Sequence, residues 1–155
     1  MQDQDPPVGY TTPAKPVETG HSVLLYDGVC GLCNGLVQFV LPRDRHRHFY
    51  FAPLQSDYAR MLLLRYGKNA DDLNTFYVVA ASNTPAEHLL FKSNAALYVL
   101  SQLGFPCVLT ATAKVVPQGL RDKIYDFIAG NRYKWFGKRD MCLAPTPQDR
   151  ERFLG

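Results

Sequence analysis

Two cysteines three positions apart, Cys30 and Cys33 in the sequence DGVCGLC, separate two segments with different hydrophobic patterns. The segment before them, Ser22–Tyr26 (SVLLY), is an apolar run of the length of a strand. The segment after them has apolar residues at helical spacing until Pro42, which a helix interior does not tolerate. The sequence therefore predicts a buried strand followed directly by a helix, with the two cysteines at the start of that helix.

The rest of the chain continues this alternation of strands and helices. Further strands are predicted at His48–Ala52, Thr75–Ala81 and His88–Phe91, and helices over Leu54–Tyr66 and from a cap at Ser93 to Gly104. Two more helical patterns follow, one from Cys107 to Val115 and one from Leu120 to Ile128, before Gly130. The turn residues Ser82–Pro85 predict a hairpin between the last two strands.

The resulting order, β-α-β-α-β-β-α, is that of a thioredoxin-like fold. Crossover helices between the first strands predict parallel pairing there, and the late hairpin predicts antiparallel pairing. We therefore predict an α/β protein with a mixed four-stranded sheet, extra C-terminal helices and a tail.

Length and composition indicate one globular domain. The chain has 155 residues, of which 46% are hydrophobic and 20% are charged, as is ordinary for a domain with a core of its own. Residues 1–20 hold four prolines and no periodic apolar pattern, which predicts a flexible leader before a single domain at 21–155. No apolar run approaches the ~20 residues that cross a bilayer, and no secretory signal is recognised. We expect a cytoplasmic protein without a membrane partner.

The position of Cys30 favours the thiolate form of its side chain. The unpaired N–H groups and the dipole at a helix N-terminus stabilise an anion, and such positions lower a cysteine pKa below its free value of ~8.5. The spacing puts Cys33 on the same helical face, within range of a disulfide. We predict that Cys30 attacks a target disulfide and that Cys33 resolves the mixed disulfide. Gly28 and Gly31 are expected to leave the approach open to another chain.

This chemistry predicts a dithiol–disulfide oxidoreductase. It requires no organic cofactor, because the cysteine pair stores the electrons, but it requires an external reductant and a protein or small-molecule disulfide as substrate. The alternative is a non-catalytic module in which the same thiols hold zinc or a soft metal. A structural zinc site usually has a second ligand pair, whereas Cys107 and Cys142 are far along the chain and His46 and His48 are too close together. The redox interpretation is therefore favoured.

Three segments carry a resemblance to a known family. The first, YDGVCGLCNGLVQFVLPRDRHRHFYFAPLQS, contains the pattern D-x-x-C-x-x-C; the second is KSNAALYVL; the third is IYDFIAGNRYKWFGKRDMCLAPTP. Together they resemble the DCC family of thiol-disulfide oxidoreductases, and the likeness covers nearly all of residues 22–155. The resemblance implies a thioredoxin-like fold and a protein-disulfide reductase activity. It also implies that Asp27, Cys30 and Cys33, which match the pattern, are the functional positions.

Two roles are open for Asp27. Its carboxylate can accept the proton of Cys33 when that thiol becomes the resolving nucleophile. Alternatively, it forms an Asx turn by accepting a hydrogen bond from the backbone of Gly28–Val29. In either role its negative charge opposes a thiolate at Cys30, because like charges repel.

The segment before the third strand, Asp71–Thr75, departs from the thioredoxin pattern. Thioredoxins have a cis-proline there that guides the substrate backbone, whereas this segment contains no proline. We therefore expect a substrate groove that is organised differently.

The stretch Lys114–Arg139 carries the excess positive charge of a chain whose formal net charge is only +3. It also contains the aromatic residues Tyr133, Trp135 and Phe136. Basic and aromatic residues together can bind nucleic acid. Here we expect instead an amphipathic end-piece that packs its rings and leaves its charges in water, with no nucleic-acid partner. An anionic partner or acidic substrate protein is the alternative.

The two remaining cysteines carry separate expectations. Cys107 lies on an apolar helical face and is expected to pack in the core. Cys142 follows two cations, and it is either a third redox thiol or a buried thiol that holds the tail.

Overall fold

The structure is a computed structural model, and it describes residues 17–104, 112–137 and 146–154. Four strands and four longer helices lie within these ranges: β1 (Ser22–Tyr26), α1 (Gly31–Val40), β2 (Phe49–Pro53), α2 (Asp57–Arg65), β3 (Tyr77–Ala80), β4 (His88–Phe91), α3 (Lys92–Gln102) and α4 (Gln118–Phe136). A short 3-10 helix, Arg150–Arg152, follows near the end of the chain. The expectations for Cys107, for Cys142 and for residues 1–16 of the leader lie outside the described residues.

The four strands form one mixed sheet in the order β2-β1-β3-β4. β1 pairs in parallel with β2, and β3 is antiparallel to both of its neighbours, β1 and β4. This is the predicted thioredoxin-like arrangement, so the predictions of the fold class, the parallel crossover and the hairpin are confirmed. All five residues of β1 are buried, as expected of a central strand that is covered on both faces.

Helices cover both faces of the sheet. Val23 and Leu25 of β1 belong to the same apolar cluster as Leu63 of α2. Leu24 and Tyr26 point to the opposite face, where they join a cluster with α1 and α3. Successive strand residues alternate between these clusters because side chains alternate across a strand. β1 therefore ends between two packed layers, and the two cysteines follow it directly.

The longest helix, α4, differs from its prediction. It runs through Gly130, so the prediction that a helix ends before this glycine is wrong. One glycine in an exposed helix position costs only about 1 kcal/mol. Ala129 and Arg132 on either side of it are buried, and their contacts offset that cost.

The predicted cap at Ser93 is also wrong. α3 begins at Lys92, two residues earlier than a cap at Ser93 implies, with Phe91 at its N-cap and no side-chain cap hydrogen bond. The Ser93 hydroxyl instead donates to Asp122 Oδ1 of α4 at 2.5 Å. The other predicted strands and α2 are confirmed, with boundaries that differ by up to three residues. In the described ranges, none of the helices is both long enough and apolar enough to cross a membrane.

Candidate active site

The loop that joins β1 to α1 presents Cys30 at the start of the helix, as predicted. The Cys30 N–H donates to the Asp27 carbonyl at 3.2 Å, which closes a turn. Cys30 is the N-cap residue of α1, and its Sγ accepts a hydrogen bond from the Cys33 N–H at 3.4 Å. A sulfur in this position replaces the oxygen that usually satisfies an unpaired N–H group at a helix start.

The surroundings of the pair polarise the two thiols in opposite directions. The hydrogen bond from the Cys33 thiol lowers the pKa of Cys30 most strongly, whereas burial raises it. Backbone hydrogen bonds and the positive charge of Arg132 lower it further, so the pKa of Cys30 falls from 9.0 to about 6. The same hydrogen bond, together with burial, raises the pKa of Cys33 far above its usual value. At neutral pH Cys30 is therefore an anion and Cys33 a neutral thiol.

Cys30 is nevertheless 0% exposed, so the approach to its sulfur that was expected to be open to another chain is closed. The prediction of an open approach at Gly31 is wrong as well, because another part of the chain lies against this glycine. The Gly31 N–H donates to the carbonyl of Gly137, just beyond α4, at 3.1 Å. A Cβ at Gly31 would lie 2.3 Å from the carbonyl oxygen of Phe136. The place expected for another chain's backbone is occupied by this chain's own backbone.

The backbone of Gly28 is occupied as well. Its N–H donates to Gln55 Oε1 at 3.1 Å. Its carbonyl accepts a hydrogen bond from the Asn34 side-chain amide, on α1, at 2.9 Å. The loop is thus held from both sides, and both polar backbone groups of Gly28 are paired within the chain.

Asp27 lies at the centre of a buried hydrogen-bond network, with 1% of its surface exposed. Its Oδ1 accepts from the Val29 N–H at 3.1 Å, which is the Asx turn that the sequence analysis considered. The same oxygen accepts from Gln55 Nε2 at 2.8 Å. Its Oδ2 accepts from Arg132 Nη2 at 3.1 Å and from the Tyr133 hydroxyl through a short hydrogen bond.

The network keeps Asp27 ionised. Burial alone raises the pKa of this carboxyl group, but the hydrogen bonds, that from Tyr133 first, outweigh burial and lower the pKa below its ordinary value. Each carboxylate oxygen already accepts two hydrogen bonds. The Asp27 carboxylate is therefore a weak base whose lone pairs are occupied.

Arg132, like Gln55, is a site residue that could not be recognised in the sequence. Only 3% of its side chain is exposed, and besides Asp27 it donates to Asn74 Oδ1 at 2.9 Å and to the Ala129 carbonyl at 3.0 Å. The expectation that this stretch packs its rings and solvates its charges is wrong at three described positions, because Arg132 is buried while Trp135 and Phe136 are each 51% exposed. The signal in the sequence was a cation next to Tyr133 within the third segment that resembles the DCC family. Nothing in the sequence indicated that Asp27 is the partner of this cation.

A cavity of about 90 Å³ lies beside Cys33 rather than beside Cys30. Its walls include Leu32, Phe76, Tyr125 and Arg132. The segment before β3, where thioredoxins have their proline, contributes residues 73–75 to the same walls. This segment therefore lies next to the cysteine pair even though it lacks the proline.

Taken together, the fold and the site define a thioredoxin-like α/β protein with a dithiol at the N-terminus of its first helix. The chain belongs to the DCC1-like thiol-disulfide oxidoreductase family, which it matches over residues 24–138. It is 42% identical to the uncharacterized protein YuxK of Bacillus subtilis, over 85% of this chain and 93% of that protein. It is 38% identical to a chloroplastic DCC family protein of Arabidopsis thaliana, over 81% of this chain and 70% of that protein. No solved structure matches the chain.

The hydrogen bond between the two cysteine side chains can be tested by titrating the ultraviolet absorbance of the thiolate. We expect a group with a pKa of about 6 that is absent from Cys30→Ser. Cys33→Ala is expected to raise the pKa of Cys30 by about one to two pH units, because a hydrogen bond to a charged group contributes roughly 1.5–3 kcal/mol. Cys33→Ser keeps a donor and is the control. Equal values in the alanine and serine variants would contradict this explanation.

The buried ion pair can be tested with a double-mutant cycle. Arg132→Leu leaves the Asp27 carboxylate buried without its cation, which we expect to cost about 3–5 kcal/mol of the free energy of unfolding and to raise the pKa of Cys30. Asp27→Asn combined with Arg132→Leu removes the stranded charge and is expected to recover more than half of the loss. Denaturant unfolding and the thiolate titration measure both effects. Additive losses in the double variant would show that the two residues do not interact.

Proposed function

We propose that this protein is a thiol-disulfide oxidoreductase of the protein-disulfide reductase type, with Cys30 as the attacking thiolate and Cys33 as the resolving thiol. The observation that carries the proposal is the N-cap position of Cys30 Sγ, where a backbone N–H, the Cys33 thiol and the Arg132 charge all favour the anion. The family to which the chain belongs supports the same chemistry.

The proposed reaction proceeds in two exchanges. The Cys30 thiolate attacks one sulfur of a substrate disulfide, forms a mixed disulfide and releases the first substrate thiolate, which takes up a proton. The Cys33 thiolate then attacks Cys30 Sγ, forms the Cys30–Cys33 disulfide and releases the second substrate thiolate. The substrate gains two electrons and two protons, and an external dithiol reductant restores the cysteine pair by the reverse sequence of bond changes.

The second exchange requires Cys33 to lose its proton at the right moment. The hydrogen bond and the charge of Cys30 both raise the pKa of Cys33 in the resting state. Both effects disappear once Cys30 is in the mixed disulfide, because that sulfur is no longer an anion. The charge of Arg132 and the N–H of Asp27 then act to lower the pKa of Cys33. We propose that this change, rather than a strongly basic side chain, times the resolving step.

The proposal also covers the cofactor, the partners and the cellular compartment of the protein. The pair itself carries the electrons, so no organic cofactor takes part, and the partners are a protein or small-molecule disulfide and a dithiol reductant. A compartment that keeps thiols reduced, such as the cytoplasm, fits a reductase. The alternative of a zinc-binding module gains no support from the part of the chain described here, where no group of three or more His, Cys, Asp or Glu residues is arranged to hold a metal ion.

Trapping of the mixed disulfide tests the proposal. Cys33→Ser removes the resolving thiol, so Cys30 is expected to accumulate disulfide-linked proteins in cell extract, and reductant should release them. Cys30→Ser, which keeps Cys33, is the matched control and should trap few or none. If the two variants recover the same small set of adducts, Cys30 is not the attacking residue. Reduction of insulin disulfides by dithiothreitol should likewise be accelerated by the wild-type chain and by neither variant.

The role of Asp27 can be separated from general-base catalysis by Asp27→Asn. If Asp27 takes the proton of Cys33, this variant slows the resolving step and removes a titration from the pH profile of disulfide reduction. We expect instead that the pH profile is kept, because both oxygens of the Asp27 carboxylate already accept hydrogen bonds and the low pKa of this group makes it a weak base. Rapid-mixing measurement of the decay of a preformed mixed disulfide is the readout, and a resolving step slowed about a hundredfold or more would favour the base.

A further inference from the structure

Position 31 requires a glycine because there is no space for a side chain, and not because of its backbone conformation. Gly31 is the first residue of α1 and does not adopt a left-handed φ, so alanine fits its backbone. What excludes any side chain is the carbonyl of Phe136, which lies 2.3 Å from the position of a Cβ. Gly35, in the same helix, has no atom within 4 Å of such a position. The glycine at position 31 thus admits a polypeptide backbone beside Cys30.

The segment that fills this space has a geometry of its own. Gly137 ends α4 with φ 73° and ψ 173°, a conformation that only glycine adopts without strain. Its N–H donates to the Tyr133 carbonyl at 3.0 Å, and its carbonyl accepts from the Gly31 N–H at 3.1 Å. A polypeptide carbonyl is therefore bound to the N–H of Gly31, the residue that follows the attacking cysteine.

The two observations, together with the complete burial of Cys30, point to one interpretation. We propose that Gly31 is a docking position for a polypeptide backbone, which the Phe136–Gly137 end of α4 occupies in the resting protein and which an extended substrate segment takes during disulfide exchange. This inference rests on the proposed oxidoreductase function. The substrate class is an extended peptide that presents a backbone carbonyl next to its disulfide.

The contact is suited to displacement. The anchor of α4, Arg132 bound to Asp27, lies one turn before the occupying segment. The last turn beyond it carries Trp135 and Phe136, each half exposed. Opening the residues beyond Tyr133, whose hydroxyl stays bound to Asp27, therefore separates few buried groups and leaves the ion pair in place, and such helix ends open at a small fraction of the global free energy of unfolding.

Two variants are designed to displace the Phe136–Gly137 segment from Gly31, one by a change in α1 and the other by a change at the end of α4. Gly31→Ala places a methyl group against the Phe136 carbonyl, and Gly137→Ala strains the conformation that directs its carbonyl to Gly31. Gly35→Ala in α1 and Gly130→Ala in α4 are matched controls, because a Cβ at either position meets nothing within 4 Å. The readout is the rate at which iodoacetamide alkylates Cys30, measured on its peptide by mass spectrometry with no disulfide substrate present.

We expect both site variants to raise this rate about tenfold or more, as their open fraction increases, and both controls to leave it unchanged. Thermal unfolding verifies that all four variants fold. An unchanged rate in Gly137→Ala would overturn the occlusion. If alkylation accelerates but no variant reduces a disulfide, the oxidoreductase function falls while the occlusion stands.

The docking position is tested by comparing two disulfides. A linear peptide joined by a disulfide to a second copy of itself offers backbone carbonyls, whereas 2-hydroxyethyl disulfide offers none. Both site variants should reduce the small disulfide equally well. For the peptide, Gly137→Ala should have a KM about fivefold lower than Gly31→Ala. The methyl group added in Gly31→Ala also keeps the substrate carbonyl from the Gly31 N–H, and about fivefold is the ordinary contribution of one hydrogen bond. Equal KM values in the two variants would overturn the docking position.

Discussion

The buried ion pair between Asp27 and Arg132 determines the arrangement of the whole site. It joins the end of the central strand to the longest helix, across 105 positions of sequence. Because an unpaired buried charge is strongly unfavourable, this pair helps to fix where α4 packs against α1 and α3. It also places a cation in the region of a carboxylate that would otherwise oppose a thiolate at Cys30. The pair therefore holds α4 in position and, through the charge of Arg132, adds to the effects that lower the pKa of Cys30.

Reactivity and accessibility are separated in this site. The features that make Cys30 an anion are internal: the N-cap position, the Cys33 donor and the Arg132 charge. The feature that we propose as its cover is the backbone at the end of α4, which accepts a hydrogen bond from the Gly31 N–H. A thiolate is oxidised readily when it is exposed. A covered thiolate keeps its nucleophilicity for partners that can displace the cover.

Much of this architecture follows from local patterns. The apolar run of β1 and the helical spacing after Cys33 predict the strand–helix junction, and the mixed sheet follows from the order of the elements. The covering of Cys30 and the burial of Arg132 could not be predicted in the same way. Both depend on contacts between segments about a hundred residues apart, and hydrophobic periodicity carries no information about such pairings. The space expected at Gly31 for the backbone of another chain is occupied by the Phe136–Gly137 backbone of this chain, which is a contact of the same long-range kind.

A redox titration shows whether Cys30 and Cys33 form a reversible disulfide. The wild-type protein is equilibrated with mixtures of reduced and oxidised dithiothreitol, and the fraction of Cys30–Cys33 disulfide is measured on the peptide that contains both cysteines. We expect one reversible two-electron transition, in which the disulfide forms fully and is fully reduced again. If oxidising mixtures leave both thiols free or convert them only to adducts with the reagent, Cys30 and Cys33 do not act as a redox pair.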